Sequence, residues 1–265
     1  MYKKTIVICF WMVNITGCRT QIYLPGFDFA LFSNSPAKKL AKAVESEDTT
    51  GINAILKENY VDVNYSEAKF GNTLLTLAVV NNKNLSVLKL LEVGADPNKR
   101  ANDNSSALLN ACAFAYDLKD PEETLRLLIE HGADVNSIRT DTTNDQFGNK
   151  KYFRTTPLQL LCMYGTLSEV KLIVEYGANL TYFGGYEHSI LSTAALAEKW
   201  DIVKYLLIEK KVPVPDYVVV RQPGTRSEKK ITLADILQEH DYSKNPEQQK
   251  LKEEILRYLA DLGKA

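Results

Sequence analysis

Residues 127–136 read Leu127-Leu128-Ile129-Glu130-His131-Gly132-Ala133-Asp134-Val135-Asn136, and copies of this stretch organise the chain. Leu127, Leu128 and Ile129 form the last apolar turn of a helix. Gly132 falls where that helix needs a left-handed stop, a conformation that glycine takes without the steric cost of a Cβ. Asp134 and Asn136 suit the turn that follows, because short polar side chains bond nearby backbone groups. Further copies run from Leu90 to Asn98 and from Ile173 to Thr181, and another ends at Asn64.

A second signature precedes these copies. Its clearest form is Thr156-Pro157-Leu158-Gln159-Leu160-Leu161, with relatives opening at Thr73, Ser106 and Ser189. A Ser or Thr caps a helix, and a face of apolar and small residues follows. The paired signatures resemble the ankyrin repeat, with its Thr-Pro-Leu-His-x-Ala opening and its period of about 33 residues. The resemblance covers residues 36–265. It implies an all-α fold, an ankyrin-repeat solenoid of about five to six stacked helix-turn-helix units with degenerate terminal caps.

The units follow in order. Pro36 to Asn64 is a degenerate N-terminal cap, with Leu40, Ala43 and Val44 on one helical face and Ile52, Ile55 and Leu56 on the next. The second unit ends at Asn98, with helices near Leu74–Asn81 and Leu85–Glu92. The third ends at Asn136 and carries extra residues between its helices, around Tyr116 to Glu122. Asp120-Pro121 there reads as a helix start. The fourth ends at Thr181, and its excess lies in Ser137 to Thr155. The fifth keeps a second helix over Asp201 to Ile208, but Lys211-Val212-Pro213-Val214-Pro215 replaces the glycine stop. Val218 to Val220 reads as a strand. The last unit carries Leu251, Ile255, Leu256, Leu259 and Leu262 as one apolar stripe, the pattern of a C-terminal cap.

The chain has 265 residues, 45% hydrophobic and 25% charged, with a net charge of −1. Without residues 1–17 there are 30 basic and 33 acidic side chains. A slightly acidic body argues against nucleic acid as a partner. Cys112 and Cys162 occupy one position of successive units. Packed helices there stand about 8–10 Å apart, too far for a disulfide, so both are expected to be free and buried.

Residues 1–17 have the layout of a signal peptide: Lys3 and Lys4, then an apolar run from Ile6 to Val13 that is too short to span a bilayer. Ile15-Thr16-Gly17-Cys18 is similar to the bacterial lipoprotein box. That resemblance implies cleavage before Cys18, its lipidation, and a lipid anchor to the membrane. Arg19 in place of Asp points to the outer membrane, facing the periplasm. Residues 18–35 are then the lipidated N-terminus and tether, and 36–265 the repeat domain. Ile22, Tyr23, Leu24, Phe27, Phe29, Leu31 and Phe32 make the tether apolar enough to fold against the first repeat and cover its exposed end.

The three histidines, His131, His188 and His240, fall in different units, with no His-x-x-x-His or Cys-x-x-Cys spacing. His131 reads as a cap, His188 as a local cap and His240 as part of a polar stretch. No nucleophile motif or phosphate loop is present. An enzyme would need the loose acids Asp141, Asp145 and Glu187 to converge. No catalytic residue, metal or cofactor is expected.

The residues that the repeat does not explain are aromatic and basic. Tyr65 and Phe70 lie in the first finger, the connection between units. Arg139, Phe147, Tyr152, Phe153 and Arg154 lie in the long one, Tyr182, Phe183 and Tyr186 in the next, and Tyr217 with Arg221 in the last. Such residues anchor protein interfaces. Tyr164 and Trp200 are expected to line the concave face. The expected function is binding of another protein. Address and shape point to an inhibitor or immunity protein of a periplasm-acting toxin or lipase. The alternative is an envelope scaffold that holds a periplasmic enzyme without inhibiting it.

Overall fold

A computed structural model of the chain describes residues 26–58, 61–144, 150–181, 189–221 and 227–264, with 141–144 and 150–153 described by their backbone course. The signal segment, Cys18, Phe147, Tyr182, Phe183, Tyr186 and His188 lie outside these residues.

Twelve α-helices stand in six antiparallel pairs among the described residues. They are α1 (Lys38–Glu45) with α2 (Thr49–Lys57), α3 (Leu74–Val80) with α4 (Asn84–Glu92), and α5 (Ala107–Ala113) with α6 (Pro121–Glu130). Then come α7 (Pro157–Tyr164) with α8 (Leu167–Glu175), α9 (Ile190–Leu196) with α10 (Trp200–Lys204), and α11 (Leu233–Glu239) with α12 (Pro246–Asp261). First helices stack on first helices and second on second, each pair touching its neighbours. No pair could bury its apolar face alone, so the core is one continuous band. Leu74, Leu77, Leu108, Leu109, Leu125 and Leu128 are fully buried in it. Each such side chain contributes roughly 1.5–3 kcal/mol.

The helix starts are those the capping residues dictate. Thr73, Ser106, Thr156, Ser189 and Thr232 each adopt an extended backbone and accept from the amide three residues on. Gln159 returns the bond to the Thr156 amide at 3.1 Å, completing a capping box. The stops are equally regular. Gly94, Gly132 and Gly177 have φ of 92°, 91° and 88°. A Cβ at these glycines would meet nothing, so the requirement is the dihedral and not the space.

The fifth pair departs from this rule. Its second helix ends at Lys204, and Tyr205–Glu209 continues as a π-helix. The reason is one extra residue. Ala95, Ala133 and Ala178 reach back five residues to close their helices, whereas Val212 reaches back six, to Leu206. The wider turn absorbs the insertion, and Lys211 takes the glycine position at φ 53°.

The Asp-x-Asn turns do more than reverse the chain. Asp62, Asp96 and Asp134 each accept the amide two residues on, which shapes the turn. The Asn then bridges to the next unit. Asn98 donates to the Gly132 carbonyl at 2.8 Å and accepts from the Asp134 amide at 2.9 Å. Asn64 does the same to Gly94 and Asp96, and Asn136 to Gly177 and Asn179. The ladder ends at Thr181, whose hydroxyl turns back to Asn179 at 2.9 Å. On the other edge, Glu47 accepts the Leu85 amide, and Asn82 bonds both Asp117 and Lys119.

The fold is mostly helical, consistent with an all-α repeat solenoid, and two of its connections carry short hairpins. The connection from Ser137 to Thr155 contains an antiparallel hairpin, β1 (Arg139–Asn144) with β2 (Lys150–Thr155), in which Arg139 pairs with Thr155 and Asn144 with Lys150. A second hairpin, β3 (Val219–Arg221) with β4 (Lys229–Ile231), leads into the last pair. Thr140, Thr142, Thr143, Tyr152 and Phe153 are of types that favour strands, and a hairpin satisfies backbone groups between its two strands. In α12, Ile255 and Leu259 are buried as the stripe requires, but Leu262, just past the helix end, is exposed. Cys112 and Cys162 are free and fully buried. Burial pushes both thiols up, Cys162 to about 12 and Cys112 further with the Glu169 charge adding to it.

Two predictions follow from this framework. Asn98→Ala removes both bridges between the second and third units and should cost about 1–2 kcal/mol in urea unfolding. An unchanged midpoint would show that the ladder is ornamental. The second concerns acid. Arg221 grips Glu239 bidentately at 2.9 and 2.6 Å, and this bond holds the Glu239 carboxyl below its usual range. A depressed carboxylate stabilises the fold above the unfolded value, about pH 4.3, and its contribution disappears as pH falls through the folded value. Arg221→Met should therefore lower the Tm at about pH 7, and the gap from the unaltered chain should narrow as the pH is taken well below about 4.3. A gap that does not narrow would contradict this.

Candidate protein-binding surface

The first helices present one long edge of the stack, and the fingers rise from their N-terminal ends. The first finger is organised by Glu67, a buried carboxylate. It accepts the amides of Lys69 and Phe70 at 2.7 Å each and that of Asn72 at 3.1 Å. One side chain thus satisfies three amides of a tight loop, a task backbone groups cannot perform there. Asn102 ties this finger to the next through the Phe70 and Lys69 carbonyls.

Tyr65 and Phe70 are both half-buried. The Tyr65 ring centroid lies 6.2 Å from that of Phe32, and the Lys69 ammonium stands 5.0 Å over the Phe70 ring. Both rings therefore touch the chain itself, Tyr65 through the segment before α1. Arg154 is exposed and Arg139 half-buried at the base of the long hairpin. Tyr152 and Phe153 sit on β2, opposite Thr142 and Asp141. Arg221 is engaged with Glu239, and the Lys230 ammonium lies 4.9 Å over the Tyr217 ring.

The C-terminal ends of the first helices, where Tyr164 was expected, also carry Tyr116, Met163 and Leu196. Tyr116 is 67% exposed, and its ring centroid lies 6.3 Å from that of Tyr164. Met163 and Leu196, at 43% and 46%, extend the same edge. Counted from the capping Thr or Ser, Ala113-Phe114, Met163-Tyr164 and Leu196-Ala197 hold equivalent places. The signal was therefore available: these are the apolar residues that follow the buried face by one further turn. Trp200 does not belong to this surface. It is 1% exposed, because α10 turns it inward against the last pair.

A second unforeseen cluster closes the C-terminal end. Trp200 donates from Nε1 to the Tyr242 hydroxyl, and His240 stacks on Tyr242 while meeting Trp200 edge-on. His240 Nδ1 lies 2.8 Å from the Ile236 carbonyl and Nε2 3.4 Å from Glu198. The cluster joins the turn after α9 to the segment after α11, so its work is to seat the last pair. His131 bonds the Leu127 carbonyl at 2.8 Å, the capping role expected of it. Among the described residues, no three His, Cys, Asp or Glu side chains converge as a metal site. No helix there is long and apolar enough to cross a membrane.

A family model for the ankyrin repeat matches residues 70–102, the segment from the first finger through α3 and α4. None of the curated proteins compared with the chain matches it. The matched segment carries the same cap, glycine stop and bridging Asn as its neighbours in the stack. The chain contains an ankyrin repeat, a module of protein–protein interaction.

Proposed function

We propose that the whole stack is an array of six ankyrin units, the two terminal ones degenerate, that binds another protein through its first-helix edge and fingers. The observation that carries this is the row of Tyr116, Met163 and Leu196, apolar side chains left in solvent by a fold that buries their neighbours, with the half-buried Tyr164 ring beside Tyr116. Aromatic and Met side chains bury large area at small conformational cost, which is the property of interface anchors. Arg154, exposed at the base of the long hairpin, adds a charged anchor on the finger side. The chain on this reading is a binder and not an enzyme.

The finer reading adds an address. Residues 1–17 are a signal peptide, Cys18 is the lipidated residue, and the array faces the periplasm from the outer membrane. Its partner is a secreted toxin or lipase whose active-site mouth it occludes, as an immunity protein does. What supports this is the Lys3-Lys4 start, the short apolar run and the Thr16-Gly17-Cys18 end. Two acyl signals or more hold a protein stably on a bilayer.

Two measurements check these statements. Affinity purification from cell envelopes should recover one stoichiometric protein, and Tyr116→Ala with Tyr164→Ala should weaken its capture at least about ten-fold, the scale of one anchor. The Tm should move by no more than a few degrees. A large fall in Tm with unchanged capture would assign these rings to packing. Cells fed a fatty-acid analogue should label the unaltered chain and not Cys18→Ser. Equal labelling of both would reject the anchor.

A further inference from the structure

The expectation that the segment 19–35 covers the open end of the first unit concerns, among the described residues, 26–35. They do pack there, since Phe29 and Phe32 are buried and Phe29–Phe32 forms a 3-10 turn on α1, capped by Asp28. The segment does not stop at the first pair. The Asn72 side-chain amide donates to the Gly26 carbonyl at 2.9 Å, and that of Asn81 to the Phe27 carbonyl at 2.8 Å. These two Asn residues flank α3. The Phe27 ring meets Phe114, at the end of α5, edge-on at 5.5 Å and 80°. Gly26 has φ 92°, and a Cβ there would lie 3.6 Å from the Phe70 ring. The segment thus reaches three successive first helices, α1 through Phe29–Phe32, α3 through two backbone carbonyls and the end of α5 through the Phe27 ring.

The contact has two unequal halves. Phe29 and Phe32 are core. Gly26 and Phe27 are held by two amide bonds and one half-buried ring. Side-chain amides that bond main-chain carbonyls recognise a peptide without regard to its sequence, while the place on Phe114 favours an aromatic ring. The recognition is also incomplete. Asn72 is 4% exposed, and among the described residues its Oδ1 has no donor. An amide N–H of a peptide lying along this surface would supply one. Beyond Phe114 the edge continues to Tyr116 and Tyr164, which Gly26 and Phe27 leave uncovered.

We infer that the surface formed by Asn72, Asn81 and Phe114 is a peptide-docking site whose resident occupant is Gly26-Phe27, displaced by an extended peptide that carries an aromatic side chain. Such a peptide lands first on Tyr116 and Tyr164 and then competes for Phe114. This deepens the reading above, from which it takes only that the first-helix edge binds protein. Its failure would leave the finger-borne contacts of that reading intact. The resident lowers the apparent affinity of any competitor by the fraction of time the site stands open.

The test uses the full-length chain and a fluorescein-labelled synthetic peptide copying residues 24–30, read by fluorescence anisotropy. Phe27→Ala should bind the peptide at least about ten-fold more tightly than the unaltered chain. Adding Phe114→Ala to Phe27→Ala should abolish the gain. Equal affinity for the first two chains, or a gain that survives Phe114→Ala, would overturn the proposal. Should Phe27→Ala fail to fold, a fluorine label on the Phe27 ring of the otherwise unaltered chain decides. Excess unlabelled peptide must shift that ring's resonance toward its solvent-exposed position, and a resonance that stays put overturns the proposal.

Discussion

Everything in this structure depends on the fact that a single helix pair has two faces to bury and can bury neither alone. The bridging Asn residues make that dependence specific. Apolar faces hold pairs together but are tolerant of sliding, because burial has no direction. A side-chain amide that must donate to one glycine carbonyl and accept from one amide two residues on has a single register. Asn64, Asn98 and Asn136 impose that register at three successive junctions. At the fourth junction the ladder is gone and the stack relies on packing, and at the fifth the cluster around Trp200 and His240 seats the last pair. The irregular features of the fold, the π turn and the Lys211 stop, fall in the unit just beyond that break.

That pattern explains what was legible in the sequence. Helix starts could be read because a Ser or Thr cap is a local device with a local signal. The stops could be read because Gly94, Gly132 and Gly177 need a dihedral that few other residues take. Asp134 was legible as a turn former for the same reason. Asn136 was not legible as a bridge, since its partners, Gly177 and Asn179, are more than forty residues away. Trp200 illustrates the opposite error. A Trp at a helix start looks like surface until the last pair is folded over it, and the last pair is the one whose repeat signature has decayed.

The candidate surface was legible in its chemistry and less so in its place. Connecting segments vary without disturbing a core, which makes fingers a natural place for binding residues. Yet Tyr65 and Phe70 are turned toward the chain's own contacts, and Arg221 is spent on Glu239. The ring that stands open, Tyr116, sits just past the end of α5, and the half-buried Tyr164 ring meets it from the end of α7. There the helical period carries the side chain past the buried face. An insertion helps: the third unit has extra residues after α5, and they form the short 3-10 turn Ala115–Asp117 that presents Tyr116.

The position of the N-terminal segment bears on how such an edge stays usable. A contiguous exposed apolar strip invites non-specific association. Here the chain shields the part of the strip nearest its own start with Phe27, while Phe29 and Phe32 secure that shield to the core. The shield is weakest where it meets the open part of the row, because Phe27 is held by one ring contact and one amide bond, whereas Phe32 is wholly buried. A gradient of this kind lets one end of a segment yield while the other holds. A segment that was core throughout could not yield, and one held by Phe27 alone would not shield. The unequal division between Phe27 and Phe32 is therefore the feature that allows one stretch of chain to protect a binding edge without closing it.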